Sequence, residues 1–267
     1  MEKRGFSYYW RIYRKIIAQD IKSKMSYRAD FIISMFGMLA MNVAGILSFW
    51  LIFQNFPTIK GWNYYEMIFF YGFSLISLTP AQCLFDNNWN LRIQVYSGDF
   101  IKYCFRPMNL FFYYMSEVFD VKGLWRFAFG IGSVIYAWVK LGLPFHVWSI
   151  FEFILAALSA SLFMIALLNA SAATCFWITN SYYVLSLVYT FQDYARYPIT
   201  IFKPMLRFVF TFVIPMAFMS YYPSQLFLRP DEVTPIVWCT PVLGIVFFYL
   251  SYKIWMKGAM AYNGTGS

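Results

Sequence analysis

Long runs of uncharged residues alternate with short charged segments along this chain, and each run is long enough for a membrane-spanning helix. Residues 31–59 and 153–192 contain no Asp, Glu, Lys or Arg. A helix needs about 20 apolar residues to cross a hydrocarbon core about 30 Å thick. The pattern predicts an all-α integral membrane protein with six spans, at about 30–54, 65–85, 118–140, 148–179, 205–222 and 236–256. The remainder of the longest run, about 181–194, is predicted to lie at the membrane interface.

Residues 1–25 show a different pattern, in which apolar residues recur every three to four positions. The apolar face consists of Phe6, Trp10, Tyr13, Ile17 and Ile21. Arg11, Lys15 and Lys22 fall on the opposing face. This pattern predicts an amphipathic helix on the membrane surface, with aromatic rings among the lipids and cations near anionic headgroups. The alternative is a soluble helix packed against a partner.

Composition also favours a lipid environment. The 267-residue chain is 61% hydrophobic and only 12% charged, whereas soluble domains are about one quarter charged. This deficit argues against a soluble enzyme, a disordered scaffold and a nucleic-acid-binding protein, despite the net charge of +9. The four cysteines are widely spaced and the single histidine, His146, has no neighbouring ligand cluster, so we predict neither a disulfide framework nor a metal site.

The distribution of Lys and Arg predicts the orientation, because cytoplasmic loops are richer in these residues. With six spans and an inner N-terminus, all but three of the 21 cations fall on the inner side, including those of the 193–207 segment. The three on the outer side are Lys60, Lys140 and Arg229. We therefore expect a multi-pass protein of the cytoplasmic membrane with both termini in the cytoplasm.

One inner segment, about 86–110, is too long for a tight turn and too polar for a span. Its central part reads Gly98-Asp-Phe-Ile-Lys-Tyr-Cys-Phe-Arg-Pro107. Asp99 is predicted to cap a short helix that ends before Pro107, and the aromatic residues within it alternate with cations. A short amphipathic helix on a cytoplasmic loop is typical of a docking element. The alternative is a loop that rests on the lipid headgroups.

At this segment the sequence resembles the ABC-2 type permeases, which are membrane subunits of ATP-driven exporters. The matching strings are Tyr27-Arg-Ala-Asp-Phe31, Phe85-Asp-Asn-Asn-Trp89, the 98–107 string, Ser116-Glu-Val-Phe-Asp-Val-Lys-Gly123 and Tyr221-Tyr-Pro223. The resemblance extends to about residue 257. It implies a six-span domain over 26–258, an N-terminal interfacial helix and dimerisation across a central pathway, with a second permease that is identical or a related sister. Residues 259–267 are read as a tail with an artificial remnant at its end.

The resemblance also implies that the 98–107 helix is a coupling helix seated in a groove of a separate ABC ATPase. Its residues are Gly98, Asp99, Phe100, Ile101, Lys102, Tyr103, Phe105, Arg106 and Pro107. The chain contains no Gly-x-x-x-x-Gly-Lys-Ser/Thr string, so ATP and Mg²⁺ are expected on the partner and no cofactor on this chain.

Polar residues within the predicted spans are few and uncharged. The candidate pathway residues are Asn42, Ser74, Ser77 and Asn169. Carboxylates are missing from the span centres, which argues against a carrier driven by protons. The sequence thus predicts the permease of an exporter for an amphiphile such as a drug, lipid or peptide. The alternatives are a non-transporting membrane anchor or regulator and, less favoured, a membrane-embedded lipid-modifying enzyme. The substrate, the partner permease and a re-entrant hairpin at about 222–235 stay open.

Overall fold

Helices account for nearly all the ordered elements of the chain. The computed structural model describes residues 5–26 and 28–264, apart from the side chains of Phe6 and Arg28, and these ranges contain no β-strand beyond an isolated bridge between Ile59 and Trp62. The predicted lipid contact of Phe6 therefore lies outside the described side chains. Three helices are long and apolar enough to cross a membrane by length and composition, within Ala29–Asn55, Tyr64–Ser97 and Val147–Phe176 of the described chain.

The α-helices follow one another with short connections. They are α1 (Phe6–Met25), α2 (Arg28–Asn55), α3 (Tyr64–Leu84), α4 (Asn88–Ser97), α5 (Ile101–Cys104), α6 (Leu110–Ser116), α7 (Lys122–Leu141), α8 (Val147–Ala173), α9 (Tyr182–Gln192), α10 (Pro204–Phe208), α11 (Tyr221–Leu228), α12 (Pro235–Trp238) and α13 (Thr240–Ala261). A π-helical turn, Val209–Val213, continues α10. The 3₁₀ turns are Thr174–Phe176, Asp193–Arg196, Ile199–Ile201, Met216–Met219 and Pro230–Glu232.

The core is organised around α3, which packs between α7 and α8. A Cβ atom added at Gly72 of α3 would lie 2.8 Å from the carbonyl oxygen of Gly130 on α7, so the two backbones touch at this crossing. Gly244 of α13 approaches α8 in the same way, since its Cβ would lie 2.9 Å from the Ser159 carbonyl oxygen. Small residues let apolar helices pack this closely without a side chain between them.

The first helix of the described chain and the residues just after its last helix lie at one end of the bundle. Tyr9 of α1 packs on Phe112 at 5.0 Å between ring centroids, and Tyr262 packs on Phe100 at 5.2 Å. We call this end, which also holds 85–121 and 174–181, the terminal end. The opposite end holds the loops 56–63, 142–146 and 229–239. The chain therefore passes back and forth between these two ends.

The segment predicted to lie at the membrane interface, about 181–194, runs along the bundle between its two ends. Tyr182 lies near Trp89 at the terminal end, with ring centroids 6.3 Å apart. Further along, Tyr197 packs on Phe49, and Thr200 accepts a 2.7 Å hydrogen bond from the Trp62 indole at the opposite end. Helix α9 packs against α8, and the turn after it, Asp193–Arg196, packs against α3. Residues 182–201 thus traverse the bundle.

The predicted fifth span, 205–222, is not one helix. Helical structure that starts at Pro204 stops after Val213, because Pro215 cannot donate a backbone hydrogen bond and Ile214 leaves the helical conformation. The chain runs inward until Phe218 stacks on Phe163 at 4.7 Å and then returns through α11 to the opposite end. Residues 204–228 therefore form a hairpin that starts and finishes at the same end, which we call the re-entrant hairpin. It begins well before the 222–235 range considered from sequence.

This path changes the assignment of three cations. Arg207 donates to the carbonyl oxygens of Thr200 and Phe202, which lie at the opposite end beside Trp62. Lys203 lies in the same connection. Arg196 lies over the ring of Tyr71, in the half of α3 nearer the opposite end. These three cations therefore lie away from the end that holds α1 and Tyr262, whereas the sequence placed them on the same side.

Candidate functional site

The 98–107 segment has a buried base. Gly98 adopts a left-handed conformation with φ of 82°, which turns the chain sharply after α4. The Phe100 amide then donates a 3.0 Å hydrogen bond back to the Gln94 carbonyl oxygen. As a result the side chains of Phe100 and Tyr103 point into the protein and are almost fully buried. These two aromatic residues therefore anchor the segment and are not free to dock on a partner.

Phe100 joins several helices at the terminal end. Its ring centroid lies 5.3 Å from that of Phe176, 5.7 Å from Tyr114 and 6.0 Å from Trp255. The Tyr103 hydroxyl donates to the Glu117 carboxylate, and burial together with this hydrogen bond raises the pKa of the phenol. Because Phe176 follows α8 and Trp255 belongs to α13, Phe100 connects this segment to two long helices.

The outer surface of the segment is apolar and cationic. Phe105 is 79% exposed, and Ile101, Lys102, Arg106 and Pro107 are also exposed. We call these five residues the knob. The Lys102 ammonium lies 4.8 Å from the ring centroid of the buried Tyr103, which holds it against the surface. An exposed aromatic ring flanked by two cations is suited to a partner groove with apolar and acidic groups.

The predicted cap at Asp99 is not present. The helix here, α5, has only four residues and begins after Phe100, with no side-chain cap. The Asp99 carboxylate instead accepts a 2.7 Å hydrogen bond from the Ser97 hydroxyl. The prediction failed because Gly98 ends α4 so close to α5 that the turn is stabilised by backbone bonds and by burial of Phe100.

Helix α1 is attached to the same end of the bundle. The Phe119 backbone is held at both polar groups: Asp20 accepts from its amide at 3.0 Å, and Lys24 donates to its carbonyl at 2.7 Å. Asp20 and Lys24 also pair with each other at 2.8 Å. Of the predicted apolar face, Tyr13, Ile17 and Ile21 are partly buried, whereas Trp10 is exposed. The membrane contact of α1 stays a prediction.

The four candidate pathway residues are all buried, but the structure does not bring them together. Between α2 and α3, the backbone carbonyl oxygen of Asn42 accepts a 3.2 Å hydrogen bond from the Tyr71 hydroxyl. Ser74 and Ser77 donate to backbone carbonyls of their own helix, at 2.7 and 3.0 Å. Asn169 accepts from the Asn88 amide at 2.8 Å, near the terminal end. The serines are thus satisfied locally, and Asn169 belongs to a separate polar cluster with Asn88.

Sequence reasoning missed charged groups within the bundle. Arg126 of α7 donates to the Gln82 side chain on α3, and Arg196 pairs with Asp193 while its guanidinium lies 5.5 Å from the Tyr71 ring centroid. Arg126 interrupts an otherwise apolar stretch, and that interruption was the available signal. A charge inside a span usually faces the protein interior, where polar partners reduce its cost.

Contacts of another arginine hold the re-entrant hairpin at the opposite end. Arg229, which follows the hairpin, donates to the Gly61 carbonyl at 2.7 Å and lies 3.6 Å from the ring centroid of Trp62. It also approaches the nearly buried Glu66 at 3.5 Å. Glu66 and Asn63 cap the start of α3 reciprocally, at 2.8 and 3.0 Å. The hairpin is therefore tied to the first turn of the central helix.

A comparison with models of known protein families identifies the family of this chain. The model of the ABC-2 family transporter proteins matches residues 39–266, which is most of the chain. The chain belongs to the ABC-2 transporter family. It is therefore a membrane-embedded permease component of an ABC transporter, and the family implies association with an ABC ATPase subunit. Neither the curated proteins nor the solved structures gave a match.

Proposed function

We propose that this ABC-2 chain is the transmembrane subunit of an exporter that moves an amphiphile, such as a drug, lipid or peptide, away from the cytoplasm or the inner leaflet. A separate ATPase would bind ATP and Mg²⁺ and supply the work. The observation that carries the proposal is the knob, in which an exposed phenylalanine and two cations project from a buried aromatic base. Large exposed apolar side chains rimmed by charge are typical of protein contact sites.

The base of the knob gives a physical route for coupling. Phe100 is packed against Tyr114, Phe176 and Trp255. When two ATPase subunits close on ATP, a knob seated in their surface would be carried with them, and this aromatic contact would move the terminal-end parts of α8 and α13. Rigid-body motion of packed helices is a common form of such switching.

We further propose six membrane crossings, made by α2, α3, α7, α8, residues 182–201 and α13. The terminal end would face the cytoplasm, because most of the 21 cations belong to it. The cations left for the outer side are Lys60, Lys140, Lys203, Arg207 and Arg229, and Arg196 lies within the crossing made by residues 182–201. Of the three helices that are long and apolar enough to span a membrane, α2 is the least buried, since only 17% of the residues in its most apolar stretch are buried within the protein. This leaves a surface for lipid or for a second permease, identical or a sister.

The test is reconstitution of the full chain in vesicles with the ABC ATPase that co-purifies with it. Lys102→Glu, Arg106→Glu and a glycine inserted after Phe105 should each uncouple ATP hydrolysis from transport of a fluorescent amphiphile. Lys140→Glu and Phe56→Ala are matched controls, because both residues are exposed at the opposite end. Membrane insertion should be normal in all variants.

Two outcomes distinguish this function from a non-transporting anchor. An exporter loses amphiphile transport in the three knob variants and keeps it in the two controls. An anchor would retain an ATPase or another partner but move no amphiphile even in its native form. Normal transport by all three knob variants would contradict the proposal.

A further inference from the structure

A cavity of about 340 Å³ lies at the terminal end between α4, α8 and α9, away from the knob. Ile93, Ala172 and Leu185 form part of its apolar wall, and Trp89 and Tyr182 contribute aromatic rings. Its volume is within the range of about 300–1,000 Å³ that is common for small-molecule sites. The cavity lies beside the last turns of α3 and α8, the level at which lipid headgroups are expected if these helices span the membrane.

Two buried polar side chains line this cavity, and each has one polar atom without a hydrogen-bond partner. Asn88 is 3% exposed; its amide nitrogen donates to Asn169 at 2.8 Å, and its oxygen has no hydrogen-bond partner. Ser181 is 2% exposed, and its hydroxyl also has no partner. An unsatisfied buried polar group costs about 1–3 kcal/mol. A polar ligand group bound in this cavity would supply a partner for both residues.

The free atom of Asn88 can act as a donor or an acceptor. If the nitrogen and oxygen of both amides exchange places, the bond between Asn88 and Asn169 is kept and Asn88 presents an N–H group. The Ser181 hydroxyl can also donate. The pair therefore fits a ligand that is rich in acceptor oxygens.

The charge around the cavity favours an anion. Arg92 lines it, and helix α9, which has 11 residues, begins at its wall with Ser181 and Tyr182. The first turn of a helix carries a partial positive charge and attracts phosphate groups. Among the described residues that line the cavity, none is Asp or Glu.

We propose that this cavity binds the phosphate group of an anionic amphiphile, with Arg92, Ser181 and Asn88 as ligands. The rings of Trp89 and Tyr182 and the apolar wall would contact the glycerol and upper acyl atoms. The site requires neither the ATPase nor any part of the knob, so it stands independently of the proposed export function. The same phosphate chemistry could come from a membrane lipid or from a soluble phosphate ester.

The test measures binding to the purified full chain in a neutral detergent. Dioctanoyl phosphatidylglycerol, dioctanoylglycerol, glycerol 3-phosphate and inorganic phosphate are titrated separately. Dissociation constants are obtained from the shift in melting temperature and from native mass spectrometry. Phosphatidylglycerol should bind saturably and at least about tenfold more tightly than dioctanoylglycerol, which has the same acyl chains but no phosphate, since a hydrogen bond to a charged group is worth about tenfold or more. Comparable binding by glycerol 3-phosphate would support the site with a soluble ligand as its source.

The variants are Arg92→Gln, Arg92→Lys and Ser181→Ala, and Lys257→Gln is the matched control because it removes an exposed cation near the same end but outside the cavity. We expect Arg92→Gln to weaken phosphatidylglycerol binding about tenfold or more, Arg92→Lys to weaken it less, and Ser181→Ala to weaken it severalfold. Monodisperse elution identifies the folded variants. Equal binding of both lipids, or native binding by folded Arg92→Gln and Ser181→Ala, would overturn the proposal.

Discussion

Helices α2 and α3 are neighbours of similar apolar composition, yet they have opposite surroundings. In the most apolar 18-residue stretch of α2, 17% of the residues are buried within the protein. In the corresponding stretch of the helical segment that begins with α3, 83% are buried. Helix α3 is enclosed by α7, α8, the 193–196 turn and the re-entrant hairpin. Of the described side chains of α2, only those of Asn42 and Phe49 are buried.

The difference shows that hydropathy selects a helix for the membrane without deciding what it touches there. Lipid tails are as apolar as a protein core, so both environments accept the same residues. Specificity comes from shape and from sparse polar contacts. Gly72 gives α3 a close approach to α7, whereas a Cβ atom at Gly37 of α2 would meet no atom within 4 Å. Substitutions at equivalent residue types should therefore have unequal effects in the two helices.

The largest effect is expected for Gly72→Leu. A side chain there would collide with the Gly130 backbone, and backbone cannot move aside as a flexible side chain can. We expect a loss of more than about 4 kcal/mol, seen as loss of monodisperse protein or a collapse of the melting temperature in detergent. Gly37→Leu on α2 is the control and should leave the melting temperature nearly unchanged. Equal tolerance at both positions would mean that α3 and α7 are not in contact.

The next effect comes from a pair of phenylalanines. Phe70 of α3 is fully buried and stacks near Tyr221 and Trp62, whereas Phe36 of α2 is exposed. Phe70→Ala should cost about 3 kcal/mol because it leaves a cavity in the protein. Phe36→Ala should cost less than about 0.5 kcal/mol in a detergent micelle that replaces the lost contact. Reversible unfolding of both variants would give the two values. A large cost at Phe36 would instead place a partner helix on α2 in the purified protein.

Much of the architecture follows from sequence. Four of the predicted spans lie within about five residues of α2, α3, α7 and α13, because charged residues or prolines lie close to the ends of these apolar runs. The predicted span 148–179 begins with α8 but ends six residues beyond Ala173, where neither a charge nor a proline marks the end of the helix. The fifth traverse, residues 182–201, could not be predicted from the sequence in this way. Residues 182–201 and 205–222 are both apolar and aromatic, and their roles are decided by distant contacts such as Trp62 with Thr200 and Phe163 with Phe218.

The candidate site was also only partly predictable. Family resemblance drew attention to 98–107, and the exposure of Phe105, Lys102 and Arg106 agrees with a contact surface. The burial of Phe100 and Tyr103 could not be foreseen, because a four-residue helix is too short for its periodicity to distinguish an inner face from an outer one. The polar cavity beside Asn88 was missed because its lining comes from three separate helices.

A smaller effect is expected where α3 leaves the bundle. Burial, and then repulsion by Asp120, raises the pKa of Asp86 from 3.8 to about 6, and Lys24 and Lys122 oppose this shift while Asp20 adds to it. The folded state therefore binds the proton more tightly than the unfolded state. The resulting stability is fully present below pH 3.8 and is lost as the pH rises through about 6.

Between pH 4.5 and 7 this loss should amount to about 2 kcal/mol, and Asp86→Asn should remove it. The measurement is the free energy of unfolding at both pH values for the two proteins. Asp30→Asn, at the exposed start of α2, is the matched control and should unfold like the native chain. An unchanged pH dependence in Asp86→Asn would show that other groups set it.

The smallest effect concerns the polar contact that joins the two helices. The Tyr71 hydroxyl of α3 lies 3.2 Å from the carbonyl oxygen and 3.3 Å from the side-chain oxygen of Asn42 on α2. Hydrogen bonds between membrane helices are worth about 0.6 kcal/mol on average, so Tyr71→Phe should cost about 1 kcal/mol or less. A double-mutant cycle with Asn42→Ala should give a still smaller coupling energy, because the bond to the backbone survives the loss of the Asn42 side chain. A coupling above about 2 kcal/mol would mean that α2 is held to the bundle by this polar contact more than by its packing.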